Sequence, residues 1–253
     1  MPHDAENRIR TPFAQTLDLP PPFHAVALRE VGDAFAYAVK IAAEAGAGTL
    51  VHVGRYDFIE FAVVLEPEEP LYIARCALYV GLKAMADALA IHAPPEKPIS
   101  FDWPATIRID GGLVGGARLA WPADAKENEP PPWLVFGALV RTADMNEQDS
   151  GLHPLSTALT TEGFVDIGSN HLLEHFCRHL MAAVDVWHHD GFDRVAKSYL
   201  SRLTPEKDTH HELDENGDLL VHHANRRAFE RRPLLSALGA PSWLDPAASG
   251  PRL

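Results

Sequence analysis

The chain has 253 residues, 46% apolar and 23% charged, with a formal net charge of -13, which suits one large core-forming domain plus a small appendage. It has no apolar run near the ~18 residues a membrane span needs, and Met1 to Arg10 is too polar and acidic for a signal peptide, so a cytoplasmic protein is expected. The acidic balance disfavours nucleic acid, and two cysteines, Cys76 and Cys177, cannot make a disulfide framework or a zinc site.

Thr11 to Phe23 is proline-rich and reads as an extended arm. Val31, Phe35, Ala38, Ile41, Ala42 and Ala45 then recur at helical spacing and stop at Gly46. Thr49–Val53 and Phe58–Leu65 are strand candidates, the second ended by the acidic turn 66–70. Leu78, Leu82, Met85 and Leu89 stripe a helix over Leu71–Ile91, closed by Pro94 and Pro95. Ile99–Trp103 is a further strand. Thr106–Ile109 and Leu113–Trp121 flank Asp110-Gly111, a tight-hairpin signal because both residues tolerate positive φ. The charged, proline-rich stretch 122–132 reads as a loop, Trp133–Arg141 as a strand and 142–168 as mostly irregular.

Leu173, Phe176, Leu180, Val184 and Trp187 form the clearest helical stripe, with Ser169 expected as N-cap and Gly191 as C-cap. His211 to Val221 reads as two strands around Asn216-Gly217, the start of a small β module from about Thr204. The organisation expected is an arm over residues 1–24, a main domain over 25–203 and a small module with a tail over 204–253. Antiparallel hairpins mixed with helices give an α+β class, with a largely antiparallel sheet.

Asp102-Trp103-Pro104-Ala105-Thr106-Ile107 followed by Gly112-Leu113-Val114-Gly115-Gly116 resembles the signature of the biotin and lipoate protein ligases, where a Lys-Trp-Pro-Asn-Asp strand leads through a hairpin into Lys-Leu-x-Gly-Ile-Leu. The strand Phe136–Arg141 resembles that family's Ile-Gly-x-Gly-Ile-Asn. The helix Leu172–Trp187 with Tyr199–Arg202 resembles the end of its catalytic domain. Leu213–Leu220 resembles a hairpin of its SH3-like C-terminal domain. The resemblance runs in order from about Ala25 to Leu238. It implies chemistry in which a carboxylic acid and ATP form an acyl-adenylate, whose acyl group passes to a lysine of a carrier domain. Two anions must meet, which demands fixed positive charge and aimed N–H donors.

Those donors are largely replaced here. Only Gly54-Arg55 stands near the place of the family's Gly-Arg-rich loop. Its Ser-Thr-Asn is Val31-Gly32-Asp33, its Asn-Asp is Ala105-Thr106, and its catalytic lysine falls on Gly112 when a one-residue gap is allowed in the hairpin. Losing one well-aimed contact of this kind costs about 3 kcal/mol in a transition state, and several are lost together. The resemblance therefore implies a protein with a degenerate adenylation site that binds or transfers a carboxylic-acid cofactor or acyl group, with a non-catalytic binding module as the alternative. Catalytic residues are left unassigned. The ligand-binding candidates are Gly54, Arg55, Trp103, Gly112, Gly115, Gly116 and Arg141. No cofactor is certain; ATP with biotin, lipoate or another acyl acid is what the resemblance implies, as are a small carboxylic acid and a carrier domain as partners.

Arg118 is expected to share a face with Gly112 at about 20 Å, too far to replace the lysine. Both cysteines are expected to be packed structural thiols rather than transferase nucleophiles. The pairs His188-His189, His210-His211 and His222-His223 make poor chelates, and His211 opposite His222 is the arrangement considered for a metal; no metal is expected. His52 with Asp57 lacks a nucleophile. Arg226, Arg227, Arg231 and Arg232 read as a solvated face balancing nearby acids.

Overall fold

A computed structural model describes residues 17–30, 32–143, 155–165, 168–225, 228–245, 247 and 250–252. Pro12 of the expected arm, Val31 of the first helical stripe, Arg226 and Arg227 lie outside them.

Seven strands form one sheet in the order β1-β2-β3-β7-β6-β5-β4. They are β1 (His24–Leu28), β2 (Thr49–Gly54), β3 (Phe58–Leu65), β4 (Ile99–Asp102), β5 (Thr106–Ile109), β6 (Gly112–Ala120) and β7 (Leu134–Arg141). Only β1 and β2 pair in parallel, as the intervening helix requires. The fold is thus the expected α+β class with a mixed, mostly antiparallel sheet. β1, which the sequence reading passes over, is a largely exposed edge strand.

The central strands read as continuous apolar runs because both faces are covered. Every residue of β7 is buried. On one face, α1 (Ala34–Ala45) packs through Ala34, Ala38 and Ala42, small residues that let its axis approach β2, β3 and β7. Its N-cap is Asp33, whose carboxylate accepts the Ala36 N–H at 2.8 Å, and Gly46 ends it at φ 75°.

On the other face lie α2 (Leu71–Ala74), α3 (Ala77–Ala90), α4 (Ser169–Asp190) and α5 (Phe192–Leu200). The single expected helix over Leu71–Ile91 is thus two, broken at Arg75-Cys76. Eleven of the fourteen residues of α3 are buried, as suits a helix apolar all round. Gly81 is needed where the Phe136 ring lies against α3, since a Cβ would overlap it. The N-cap of α4 is Gly168 rather than Ser169, and Gly191 ends it at φ 82°, as expected.

The β5–β6 turn places Asp110 at φ 50° and Gly111 at φ 81°, as the hairpin signal predicts. The register then passes from Ile107↔Gly115 to Arg108↔Leu113, so Val114 is an extra, bulged residue. The bulge flips side-chain parity: Arg118 shares a face with Gly116 and Leu113, not with Gly112 as simple alternation predicts.

Beyond α5, β8 (Thr209–Leu213), β9 (Leu219–His223) and β10 (Phe229–Arg232) make a small antiparallel sheet. The β8–β9 turn is five residues, wrapped by the Asp214 carboxylate, which accepts the Asn216 and Asp218 N–H groups. The Tyr79 hydroxyl donates to the Gly217 carbonyl at 2.6 Å and receives the Trp103 indole N–H at 3.0 Å, joining this sheet to α3 and β4. The chain continues through α6 (Leu234–Leu238), β11 (Leu244–Asp245) and β12 (Gly250–Pro251), and β12 returns to lie against β6 and β7. Among the described residues, no helix is long and apolar enough to cross a membrane.

Candidate functional site

The α1 face carries the chemistry. One cross-strand row runs Val53–Glu60–Leu139–Gly116–Thr106–Asp102. One row toward the strand ends stands Phe58–Arg141, and one row the other way Ala62–Gly137–Arg118. Gly116 and Gly137 therefore leave two stretches of bare backbone beside charged groups. Phe35 of α1 seats its ring on Gly137, and the Trp243 indole seats on Gly116; a Cβ at either position would lie well inside van der Waals distance of the ring.

Trp243 is almost fully buried, clusters with Leu113, Leu139, Phe58 and Leu244, and donates its indole N–H to the Ala117 carbonyl at 3.3 Å. Sequence reasoning missed it, although a lone tryptophan between prolines in a polar tail is a signal worth weighing. The space left beside it, lined by Pro104, Ala105, Ala117, Arg118 and Leu238, is about 10 Å³, room for roughly one water.

The arginines of this face differ in how they are held. Arg55 forks onto Asp57 at 3.0 and 2.7 Å and lies 4.7 Å over the Phe58 ring. That hydrogen bond pulls the Asp57 carboxyl below its usual range and raises Arg55. It also removes Asp57 from any partnership with His52, whose own pKa is lowered by burial. Arg141 is buried, donates to the Ser156 hydroxyl at 2.6 Å and to the Pro251 carbonyl at 3.0 Å, and so fastens β12 to the sheet. Arg108 bonds Asp102 at 2.6 Å and the Gly111 carbonyl at 2.8 Å.

Arg118 alone of these four makes no hydrogen bond to a described residue. Its guanidinium stacks 4.4 Å over Phe35 and approaches Asp33 at 3.6 Å, and burial lowers its pKa against the opposing pull of Asp33 and Glu60. Glu60 is 7% exposed and accepts the Ala34 N–H at 2.8 Å; burial raises its pKa.

The structure therefore brings Arg55, Gly116 and Arg141 of the sequence-predicted set to the α1 face. Gly54 follows at the end of β2, where a Cβ would meet open space. Gly112 pairs with Ile109 and would press a Cβ into Thr157, and Gly115 lets β6 pass close to the Leu139 carbonyl. Trp103 packs on the other face against α3, hydrogen-bonded to Tyr79.

Cys76 and Cys177 are buried and reduced, and burial pushes both thiols up, Cys177 to about 12, so neither is poised as a nucleophile. His222 pairs across the small sheet with His210; His211 faces Val221, one residue off the arrangement considered for a metal. Among the described residues no group of three His, Cys, Asp or Glu side chains is arranged to hold a metal ion. Arg231 and Arg232 pair with Asp214, Asp218, Glu206 and Glu230, as expected of an acid-balanced surface.

The model of the biotin/lipoate A/B protein ligase family matches residues 19–201. No curated protein matches the chain. Among solved structures, a biotin protein ligase-like protein of unknown function from Silicibacter sp. TM1040 is 28% identical, with 88% of this chain and 99% of that one covered at a TM-score of 0.77. The apo biotin protein ligase of Aquifex aeolicus is 15% identical (83% and 96% covered, TM-score 0.66), and the Leishmania major biotin protein ligase with biotin is 17% identical (84% and 98%, TM-score 0.54). At such identities the last two show a shared fold.

Proposed function

The chain belongs to the biotin/lipoate A/B protein ligase family, and from that premise we propose that it binds a carboxylic acid of the biotin or lipoate class on the α1 face without adenylating it. Similar folds hold biotin in one ligase, and biotin with ATP in another crystal of the Aquifex aeolicus enzyme. The observation that carries the reading is the state of the cations. Adenylation brings a carboxylate to a triphosphate and needs several positive groups ready to meet both. Arg55 is forked onto Asp57, and Arg141 holds Ser156 and the chain's own β12. The position that resembles the family's lysine is Gly112, crowded by Thr157. Of the four arginines described on this face, Arg118 alone makes no hydrogen bond to a described residue, and beside its loose 3.6 Å pairing with Asp33 it keeps the capacity for one carboxylate.

Incubation with ATP and biotin, lipoate or octanoate tests this. The expected result is thermal stabilisation by one of the acids, which binding to the native state produces by mass action, with no acid-stimulated release of pyrophosphate. Pyrophosphate release that one acid stimulates and Arg141→Ala reduces would instead establish a ligase that works with relocated cations.

A further inference from the structure

We propose that Arg118 is the carboxylate anchor of this site and that Trp243 occupies the place of the ligand's apolar tail. The inference rests on the binding reading above and names the site's parts. An arginine buried for structural ends is normally hydrogen-bonded, because a desolvated guanidinium without acceptors is costly. Arg55, Arg108 and Arg141 obey that rule on this same sheet. Arg118, largely buried with 21% of its side chain exposed, makes no hydrogen bond to a described residue: it has an aromatic ring beneath it and a carboxylate at 3.6 Å, and it lines the cleft beside Trp243. Asp33 and Glu60 offset its charge, yet both are engaged by N–H groups of the first turn of α1. A ligand carboxylate supplies the two-oxygen acceptor a guanidinium matches.

The cleft beside Arg118 is apolar and nearly closed. It opens only if Trp243 leaves Gly116, and the side chain is held there by packing and one long hydrogen bond. With Trp243 displaced, Leu113, Leu139, Phe58 and the bare Gly116 backbone form a floor the size of the indole it held. The ligand class is therefore a carboxylic acid with an apolar tail of about indole size. A short or purely polar acid leaves the floor unfilled, and a neutral alcohol of the same chain lacks the head group for Arg118.

Calorimetric titration with octanoate and octanol, on the wild type, Arg118→Gln, Arg118→Lys, Trp243→Ala and Trp243→Phe, tests both halves. Octanoate is expected to bind the wild type, to bind Arg118→Gln at least about tenfold more weakly, and to recover most of that loss in Arg118→Lys, as a charge-assisted contact worth ~1.5–3 kcal/mol predicts. Octanol is expected to bind far more weakly and to ignore the Arg118 change. Trp243→Ala is expected to bind octanoate about five- to tenfold more tightly. A red shift in tryptophan emission on octanoate binding is expected in the wild type and absent in Trp243→Phe, which keeps the test alive should the alanine variant fail to fold. Equal binding by wild type and Arg118→Gln overturns the anchor, and an emission shift unaffected by Trp243→Phe overturns the displacement; in either case the binding reading survives. If neither wild type nor the Trp243 variants bind octanoate, biotin or lipoate, the binding reading falls, and this inference with it.

Discussion

One face of the seven-stranded sheet packs Phe61 and Phe136 against Phe176 of α4, with Leu78, Leu82 and Met85 of α3 filling the gaps, all buried and apolar. The opposite face carries two bare glycines, a buried glutamate and an arginine that makes no hydrogen bond to a described residue, and is closed by a helix of alanines and a tryptophan from the far end of the chain. The first arrangement gives cohesion: interdigitated rings leave nothing for a ligand to replace. The second is assembled from parts that can be substituted, since a ring resting on bare backbone leaves behind a surface and not a hole in the core. Folding energy and binding capacity thus sit on opposite sides of the same strands.

Phe176→Ala tests the cohesive face and should have the largest effect. It removes a ring that contacts both Phe61 and Phe136, and such truncations cost about 3–5 kcal/mol. Urea denaturation should show that loss while octanoate affinity, measured well below the midpoint, stays close to wild type. A large loss of affinity at unchanged fold would mean that the two faces are coupled and the division of labour is false.

A neighbouring pair of glycines sharpens the comparison within one strand. A Cβ on Gly115 meets the Leu139 carbonyl, which is backbone and cannot move without parting β6 from β7. The nearest atoms to a Cβ on Gly116 belong to the Trp243 ring, a side chain that can be expelled. Gly115→Ala should therefore cost about 2–3 kcal/mol or more and Gly116→Ala about 1–2 kcal/mol, on the scale of overpacking. Only Gly116→Ala should expose Trp243 to quenching by acrylamide. Equal costs for the two would show that the C-terminal segment is as rigid as the sheet.

These differences also mark what was legible in the chain. Helical stripes over α3 and α4 and the apolar runs of β3 and β7 are local patterns, readable because the buried positions of each element are apolar apart from Glu60 in β3 and Arg141 in β7. β1 escaped because an exposed edge strand has little apolar pattern to show. So did α5, whose nine residues keep only Val195, Ala196 and Tyr199 buried among charged neighbours. The site was harder still. Arg55 and Arg141 drew attention by their position, but only their partners, Asp57, Ser156 and the Pro251 carbonyl, reveal that they are held. Strict alternation puts Arg118 on the face of Gly112, about 20 Å away and too far to replace the lysine; the glycine doublets on either side of Leu113-Val114 permit a bulge without fixing its place, and the bulge at Val114 moves Arg118 to the face of Gly116. Trp243 meets Gly116 across more than a hundred residues, and no period or spacing encodes that contact.

Acidity breaks the comparison differently, because among the described residues the one buried carboxylate, Glu60, lies on the α1 face. Burial holds the folded Glu60 pKa above its ordinary 4.5, so the folded protein keeps that proton at pH values where the unfolded chain has released it. Stability from this group is therefore fully present below the unfolded value and falls as pH rises through the folded one. Glu60→Gln, which can still accept the Ala34 N–H, should remove that slope. Measured as the difference between wild type and variant, relative stability should shift toward Glu60→Gln on going from pH 4 to neutrality. An opposite slope would mean that the Ala34 hydrogen bond outweighs desolvation and that Glu60 is a comfortable anion.

The smallest effect is expected at Asp33. This residue caps α1 through the Ala36 N–H, and losing such a cap costs about 1 kcal/mol. Its carboxylate also stands 3.6 Å from the Arg118 guanidinium, where it competes with any acid arriving there. Being half exposed, Asp33 is screened, so the competition is modest, on the order of 0.5 kcal/mol. Asp33→Ala should then be slightly less stable yet bind octanoate about two- to threefold more tightly, an opposite movement of two quantities that a general loosening of the fold does not produce. Raising the salt concentration should shrink the gain in affinity and leave most of the lost stability in place, because one is a charge effect across solvent and the other a missing hydrogen bond. If stability and affinity fall together, the first turn of α1 positions the ligand directly, and Arg118 is not the group that the acid seeks.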